Sequence, residues 1–245
     1  MPEEIDLERV LDGVHVDDAV FTLRPDYRVV VLAADGLEPG PSSVASEALL
    51  QKAEDHARQV LLDTAVEDLP HIAAWRDAYR AFGAKPQRTR NSAEALLRRV
   101  DSGLPRVDRL TDTYNAVSVL HQVPLGGEDL STYAGPARLV RARGDEPFDT
   151  TDRGEPVLEH PLPGEVVWRD DIGVTCRRWN WRQGSRTRLT ERSTSALFIL
   201  DTLAAFPAES LTEAVALLSG HLDHMGPNVR TATRLIEQSD ATRGD

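Results

Sequence analysis

The sequence predicts an α+β fold in which a mixed β-sheet core is flanked by helices at both chain ends. Apolar residues recur at helical spacing between residues 44 and 122 and again between 210 and 240. Residues 135–201 instead contain short β-branched segments separated by Gly, Pro and Asp. Helical segments on either side of a strand-rich middle are typical of α+β proteins and not of repeated βαβ units. The 245 residues suit one large domain or two small ones.

The first third of the chain predicts one strand followed by two helices. Residues 27–34 form a continuous, mostly β-branched run that Asp35-Gly36 ends, which indicates a buried strand and a turn. Residues 44–64 and 70–82 carry apolar residues at helical spacing, and Pro70 occupies a first-turn position that tolerates proline. We expect the strand and first helix to pack on the core, and the sequence leaves open whether residues 1–69 line the pocket or only support it.

Two more helices are predicted before the strand-rich middle. Asn91 with Glu94 resembles a capping box ahead of a short helix over 93–100, and Asp108 lies at the start of a helix over 107–122. The sequence 124–127 then predicts a turn. Strands are predicted at 138–142, 166–168, 174–178, 187–189 and 196–200.

The C-terminal part predicts two helices. Residues 211–222 carry an apolar stripe, Pro227 marks the start of a second helix, and residues 241–245 are expected to fray. We accordingly divide the chain into an N-terminal segment (1–69), a central domain (70–205) and C-terminal helices of the same globular unit (206–245).

Composition and missing motifs exclude several classes of protein. The net charge of −12 excludes a generally basic nucleic-acid coat, so any nucleic acid would meet a local basic patch. P-loop, Rossmann and nucleophile-elbow motifs are absent. A single cysteine, Cys176, rules out an intrachain disulfide, and His221 with His224 lack a third metal ligand. We expect no metal and no cofactor. The acidic start and the lack of a run of about 18 apolar residues predict a cytoplasmic protein without a membrane contact.

Residues 176–194 depart from the acidic character of the chain. They contain six arginines against one acid, and Trp179 and Trp181 flank Asn180 within them. Arginine and tryptophan together favour phosphate pairing and base stacking. A solvated strand pair whose arginines bridge to nearby acids explains the same pattern, and the residues alone leave both interpretations open.

An ordered series of short motifs resembles the B3/B4 domain, which forms the editing module of the bacterial phenylalanyl-tRNA synthetase β subunit and also occurs as free-standing proteins. The resemblance covers roughly residues 70–205 and is closer to the free-standing proteins. It implies a mixed β core and a pocket that hydrolyses mischarged tRNA by positioning water, without a side-chain nucleophile. The motifs lie at 79–86, 92–100, 113–118, 124–129 and 164–167, followed by the arginine- and tryptophan-rich stretch.

The resemblance also implies site residues. The proposed catalytic residues are Asn115 and Asn180. The proposed substrate-binding residues are Tyr114, Gly126, Gly127, Thr194 and Asp201. The proposed tRNA-binding residues are Arg177, Arg178, Arg182, Arg186 and Arg188.

Two departures from the family pattern bear on specificity. A histidine of the family's loop is replaced by Gly126, and the glycine-rich strand end is replaced by large residues over 178–182. We therefore do not expect the synthetase's preference for tyrosine to transfer. Regular strand alternation would place Asn180 towards the pocket and both Trp179 and Trp181 in the core.

The resemblance leads to two hypotheses from different classes. The first is an aminoacyl-tRNA deacylase that acts in trans, with the acceptor end of tRNA as partner and no DNA partner. The alternative is a non-catalytic module that binds tRNA or an amino acid. A hydrolase of another ester would keep the pocket without the tRNA. The sequence specifies no oligomeric state.

Overall fold

The computed structural model describes residues 5–238 and confirms the α+β class. Within these residues the helices are α1 (Leu7–Gly13), α2 (Asp18–Leu23), α3 (Val44–Val60), α4 (Pro70–Ala81), α5 (Ser92–Leu97), α6 (Arg109–His121) and α7 (Ala208–Leu222). The strands are β1 (His15–Val16), β2 (Arg28–Asp35), β3 (Leu125–Asp129), β4 (Arg138–Arg141), β5 (Phe148–Asp152), β6 (Glu155–Glu159), β7 (Val166–Arg169), β8 (Val174–Arg177), β9 (Arg182–Gln183), β10 (Ser195–Thr202) and β11 (Arg230–Glu237).

The strands form two main sheets and a hairpin. One sheet has the order β1-β4-β7-β8-β9, the other has the order β11-β2-β10-β3, and β5 pairs with β6. Strand β10 is buried along its whole length and pairs antiparallel with both β2 and β3. Its continuous apolar sequence is what a central strand covered on both faces requires.

Strand β2 shows how the second sheet is covered. Val29, Val31 and Ala33 pack in a core shared with the first sheet, whereas Val30 and Leu32 pack in a second core with α6 and α7. Because side chains alternate along a strand, one β-branched run supplies both cores. The molecule is thus layered as sheet, sheet and helices, and the first of these two interfaces contains the cavity described below.

Most of the predicted helices and strands are present in the structure, with bounds that differ by a few residues. Helices lie at 44–60, 70–81, 92–97 and 109–121, and strands lie at 28–35, 138–141, 166–169, 174–177 and 195–202. Residues 187–189 form only an isolated bridge, in which Arg188 pairs with Glu128. The division at residues 69 and 205 stays a prediction.

The prediction of a second C-terminal helix is wrong. Residues 230–237 form strand β11, which pairs antiparallel with β2 from Arg230 opposite Asp35 to Glu237 opposite Arg28. Thr and apolar residues alternate in this segment, which fits an edge strand with one side exposed and the other paired with β2. Interpreted as helical spacing, the same residues predicted a helix instead. The predicted fraying of 241–245 lies outside the described residues. Among residues 5–238, no helix is both long and apolar enough to cross a membrane.

Candidate active site

A cavity of about 260 Å³ lies where the two sheets meet. Strands β3 and β10 of one sheet, β7 and β8 of the other, and helices α5 and α6 all contribute lining side chains. Three tryptophans supply much of its wall: Trp168, Trp179 and Trp181. Polar side chains from distant parts of the chain therefore meet in a largely apolar space, as in most small-molecule sites.

The register of β3 against β10 decides which residues face the cavity. Gly126 stands opposite Ile199, and Gly127 stands opposite Phe198. Alternation then places Gly126 and Glu128 on the cavity side and Gly127 on the side of the helices. A Cβ added at Gly126 would meet nothing within 4 Å, whereas one added at Gly127 would lie 2.9 Å from the Phe198 ring. Of the two predicted glycines, only Gly126 lines the cavity.

Asn180 is held at the cavity by two hydrogen bonds. Tyr79 Oη donates to Asn180 Oδ1 at 2.9 Å, and Asn180 Nδ2 donates to Asp201 Oδ2 at 3.3 Å. Tyr27 Oη donates to the other carboxyl oxygen of Asp201 at 2.5 Å. All four side chains are buried. The amide orientation of Asn180 is thereby fixed, because only its nitrogen can donate to a carboxylate.

The peptide before Asn180 departs from the predicted regular strand. Strand β8 ends at Arg177, and Arg178 and Trp179 both have positive φ, at 48° and 68°. Left-handed backbone at two successive non-glycine residues is uncommon, and it makes a turn in place of further alternation. Trp179 packs in the core against Tyr27 and Trp75, as predicted, but it also lines the cavity together with Asn180 and Trp181. The expectation that alternation separates these side chains is therefore wrong.

Asn115 presents an unused amide to the cavity. It lies in α6, is 8% exposed and lines the cavity beside Tyr114. Its side chain makes no hydrogen bond with any residue of the described part. Burial raises the pKa of Tyr114 to about 12, so its hydroxyl is neutral at physiological pH. The free amide of Asn115 can donate to one ligand atom and accept from another.

Two buried carboxyls line the cavity, and both titrate near neutrality. Burial raises the pKa of Asp201 to about 7, against the hydrogen bonds that Tyr27 and Asn180 donate to it. Burial also raises the pKa of Glu128 to about 7, although Tyr133 donates a hydrogen bond to it. Neither carboxyl forms an ion pair within residues 5–238. Groups with such pKa values can exchange protons at physiological pH.

No strongly activated nucleophile accompanies these groups. Burial raises the pKa of the Cys176 thiol well above its usual value, so the cysteine at the cavity wall is held as a neutral thiol. Ser92 lines the cavity, and its buried Oγ has no hydrogen-bond partner among the described residues. The described residues contain no group of three or more His, Cys, Asp or Glu side chains arranged to hold a metal ion.

The remaining predicted site residues lie outside the cavity. Thr194 is exposed, and its backbone oxygen accepts a hydrogen bond from Leu37 N. Arg177 is buried and donates to Glu165 and Glu159. Arg186 donates to both oxygens of Asp170.

Two further predicted arginines differ in their surroundings. Arg182 lies 3.5 Å from Glu159 and donates to Thr151 O, whereas Arg188 is exposed and its side chain bonds to no described residue. Acids thus accompany most of the arginines in the 176–194 stretch, as the alternative interpretation of that stretch holds.

Sequence reasoning missed several residues of this site, above all Glu128, Tyr27 and Tyr79. The predicted turn at 124–127 is wrong, because most of it belongs to strand β3; Glu128 follows directly and shares the face of Gly126 in that strand. Tyr27 lies in the predicted buried strand, where nothing local marks it as a partner of Asp201, 174 residues away. Tyr79 is one of the apolar residues at helical spacing in 70–82, a pattern that indicates core packing and does not mark it as a hydrogen-bond donor; its ring does pack against Phe82.

The fold and the site define an α+β protein with a cavity between two sheets, in which buried amides and carboxyls converge; residues 5–238 contain no cluster that could hold a metal ion. The family model of the B3/4 domain matches residues 74–213, which is more than half of the chain, and the protein belongs to this family.

One similar solved structure is the crystal structure of an N-terminal fragment of the phenylalanyl-tRNA synthetase β subunit from Pyrococcus horikoshii. The similarity has 13% sequence identity and a TM-score of 0.45, and it covers 89% of this chain. The match spans 50% of that fragment's length. No curated protein matches the sequence.

Proposed function

We propose that this protein hydrolyses the ester bond between an amino acid and the 3′ end of a mischarged tRNA, acting in trans and in the cytoplasm. The observation that carries the proposal is the convergence of Asn115, Gly126, Asn180 and Asp201 on one cavity. These four residues come from four separate segments, and the resemblance to an editing domain implies a role in the site for each of them. Residues chosen for unrelated reasons would not be expected to meet in this way.

The cavity suits an aminoacyl group in size and polarity. Its 260 Å³ is of the order that a single amino acid side chain with its ester would occupy, which is below the range of drug-sized ligands. The tryptophans and Ile199 offer apolar contact for the side chain. The buried carboxyls offer an ionised partner for the α-ammonium, and the amides offer a donor for the ester carbonyl.

The reaction would proceed by direct attack of water. The water oxygen forms a bond to the ester carbon, and the bond from that carbon to the terminal ribose oxygen breaks. The proton released by the water passes to the ribose oxygen, so the products are the free amino acid and the tRNA with its hydroxyl restored. Asn115 orients the water or the carbonyl, and Asn180 is held ready by Tyr79 and Asp201. Catalysis would rest on positioning and on preorganised dipoles.

The experiment is to incubate the purified protein with a panel of mischarged tRNAs and to follow the released amino acid. We expect acceleration over buffer for at least one pair. Salt-dependent tRNA binding without any release would favour the non-catalytic binding module instead. Release from simple aminoacyl esters but from no tRNA would leave a general esterase in place of the tRNA deacylase.

A further inference from the structure

A second depression, of about 250 Å³, adjoins the cavity on the far side of Arg178 and Trp181. The loop after α4 forms one wall of this groove, and Leu162, Glu165 and Arg178 form the other. Three cationic side chains line it: Lys85, Arg88 and Arg178. We refer to it as the basic groove. Of the site residues that the resemblance implies, only Arg178 lines it.

The loop side of the basic groove carries unpaired cations. Lys85 and Arg88 are exposed, and neither forms an ion pair with any residue between 5 and 238. The backbone N–H groups of Arg88 and Thr89 both donate to Lys85 O at 2.9 Å, so the two cations sit on one tight turn. Arg177 and Arg186, by contrast, are each neutralised by bonded acids. Cations left without acids in a chain of net charge −12 favour an anionic ligand.

The opposite wall of the basic groove holds a preoriented guanidinium. Arg178 Nη1 donates to Thr89 Oγ1 at 2.6 Å, and the guanidinium lies 4.4 Å from the centre of the Trp181 ring. These contacts fix its plane and leave Nη2 without a hydrogen bond among the described residues. A fixed guanidinium edge matches the geometry of a phosphate.

The acid of the basic groove does not cancel this charge. Both oxygens of Glu165 accept hydrogen bonds from Arg177 at 2.9 Å, so its charge is already neutralised by a buried partner. Arg178 Nε lies 3.6 Å from the same carboxyl and makes only a looser contact. The lining therefore keeps a net positive charge. The half-buried ring of Phe82 and the exposed Leu162 add apolar surface that suits a base or a ribose.

Trp181 links the basic groove to the cavity. The Arg178 guanidinium lies over the Trp181 ring, and Trp181 also lines the cavity beside Asn180. A strand bound in the basic groove would therefore reach the cavity after passing one aromatic side chain. Positive charge with an adjoining aromatic platform is the arrangement that binds single-stranded nucleic acid.

We propose that the basic groove binds a backbone phosphate of the single-stranded RNA end whose terminal ribose enters the cavity. This inference rests on the proposed function, since it names the part of the substrate that lies outside the cavity. Lys85 and Arg88 would neutralise the phosphate, and Arg178 would fix its position.

The test measures the affinity of the full-length protein for deacylated tRNA over a range of salt concentrations. Replacing Lys85 and Arg88 together by Ala should weaken binding about tenfold at about 0.1 M salt. The slope of log K against log salt should fall by roughly 0.7, because the two cations together neutralise one phosphate and each single-strand phosphate contact contributes roughly 0.7. The matched control replaces Arg9 and Lys52 by Ala, which removes the same number of charges from exposed positions on α1 and α3; neither side chain forms an ion pair within residues 5–238.

A tRNA shortened by its 3′-terminal single-stranded nucleotides forms the second arm of the test. The wild-type protein should lose affinity for it, and the Lys85/Arg88 variant should bind both tRNAs alike. Equal losses of affinity in the groove and control variants, or an equal effect of the groove variant on both tRNAs, would overturn the proposal. The proposed function is tested separately, because only the absence of amino acid release by the wild-type protein would contradict it. The binding measurement does not depend on that release.

Discussion

Asn180 Nδ2 donates to the buried carboxyl of Asp201 at 3.3 Å, and this bond joins the arginine- and tryptophan-rich stretch to the end of the central strand β10. Tyr27 and Tyr79 complete the chain of hydrogen bonds on either side. A buried network of this kind defines one side-chain arrangement only when every member is satisfied. The protonation state of Asp201 therefore affects the whole cavity wall.

The pH dependence of turnover follows from the two cavity carboxyls. Burial raises the pKa of both Glu128 and Asp201 to about 7, so both are mostly neutral at about pH 6 and mostly ionised at about pH 8. If the ionised forms hold the substrate ammonium or accept a proton, turnover should rise across that interval and then level off. Rates measured with a chemically stable aminoacyl ester, corrected for hydrolysis in buffer, would give the profile.

Three variants assign this pH dependence. Glu128→Gln and Asp201→Asn should each change the rising limb, whereas Asp152→Asn, which removes an exposed acid on the β5–β6 hairpin, should leave it unchanged. A wild-type profile that is flat between about pH 6 and about pH 8 would contradict the prediction.

Asn115 provides the sharpest separation of binding from chemistry. Replacing it by Ala should lower turnover by about 10²- to 10³-fold, the usual loss when one preorganised hydrogen-bonding group is removed. The affinity for tRNA should change less than about twofold, because the amide is buried in the cavity that would hold the aminoacyl group and carries no charge for a phosphate. Asn228→Ala, at an exposed position, serves as the control. Parallel losses of affinity and turnover in Asn115→Ala would assign the residue to substrate binding or folding instead.

The predicted and observed sites differ for physical reasons that particular residues show. Asn115 and Asp201 could be named because the family resemblance matches them, and local apolar patterns place one in a helix and the other at the end of a strand. Glu128 was missed because 124–129 contains two glycines and little apolar sequence, and it becomes a strand only through pairing with β10. Strand formation of this kind depends on tertiary context more than on intrinsic preference.

The turn at Arg178 and Trp179 could not be predicted for a related reason. Positive φ at two bulky residues has no sequence signal, since turns of this type ordinarily use Gly or Asn. The arginines show the limit of charge counting. Six of them in one stretch suggest a surface for nucleic acid, but the acids that pair with them, such as Glu165 and Asp170, lie in other segments.

The stability of the protein should respond differently to alanine at the two adjacent glycines of β3. Gly127→Ala should lower the free energy of unfolding by about 1–3 kcal/mol, because its Cβ would lie 2.7 Å from Leu189 Cδ1 and 2.9 Å from Phe198 Cε1. Gly126→Ala should leave stability unchanged, because its Cβ faces open space. Urea denaturation of both variants provides the comparison.

A larger side chain at Gly126 tests the cavity itself. Gly126→Leu should fold, fill part of the 260 Å³ and reduce turnover most for the bulkiest amino acids. The ratio of rates for a small and a large aminoacyl group is the measurement. Wild-type ratios in a folded Gly126→Leu variant would place the amino acid elsewhere.

His71 should make the protein less stable in mild acid. Its Nδ1 donates to Gln122 O at 3.0 Å, and its Nε2 accepts from Trp75 Nε1 at 3.0 Å, so the ring is held neutral. Burial lowers the pKa of His71 to about 4, from 6.5 in the unfolded chain. As pH falls, His71 takes up a proton in the unfolded state before it does so in the folded state. Its contribution to the free energy of unfolding is therefore fully present above about pH 6.5 and is lost as pH falls towards 4.

The expected size of this effect can be measured by denaturation. Between about pH 7 and about pH 5, His71 should account for a loss of about 2 kcal/mol in the free energy of unfolding. The difference in pH slope between the wild type and His71→Phe isolates it from other titrating groups, and His56→Gln, at an exposed position, is the control. Identical slopes in the wild type and His71→Phe would show that His71 does not titrate as described.

Arg177 should prove to be a structural residue, in contrast to Arg188. Its guanidinium donates to both oxygens of Glu165 at 2.9 Å and to Glu159 at 2.7 Å, and the Arg177 and Glu165 side chains are only 7% and 3% exposed. Arg177→Met would leave Glu165 buried with only a hydrogen bond from Leu162 N and the looser ion pair with Arg178 among the described residues, so we expect a loss of about 3 kcal/mol in the free energy of unfolding.

Two further variants complete this comparison. Arg177→Met combined with Glu165→Leu should recover much of the loss, because the uncompensated charge is removed. Arg188→Ala should change stability by less than about 0.5 kcal/mol, since its side chain is exposed and bonds to no described residue. If Arg177→Met were as stable as the wild type but bound tRNA more weakly, Arg177 would belong to the RNA-binding surface after all. A stability loss that the double variant reverses would instead show that the charge of Arg177 is committed to the fold, which leaves RNA contacts to arginines without such a buried partner.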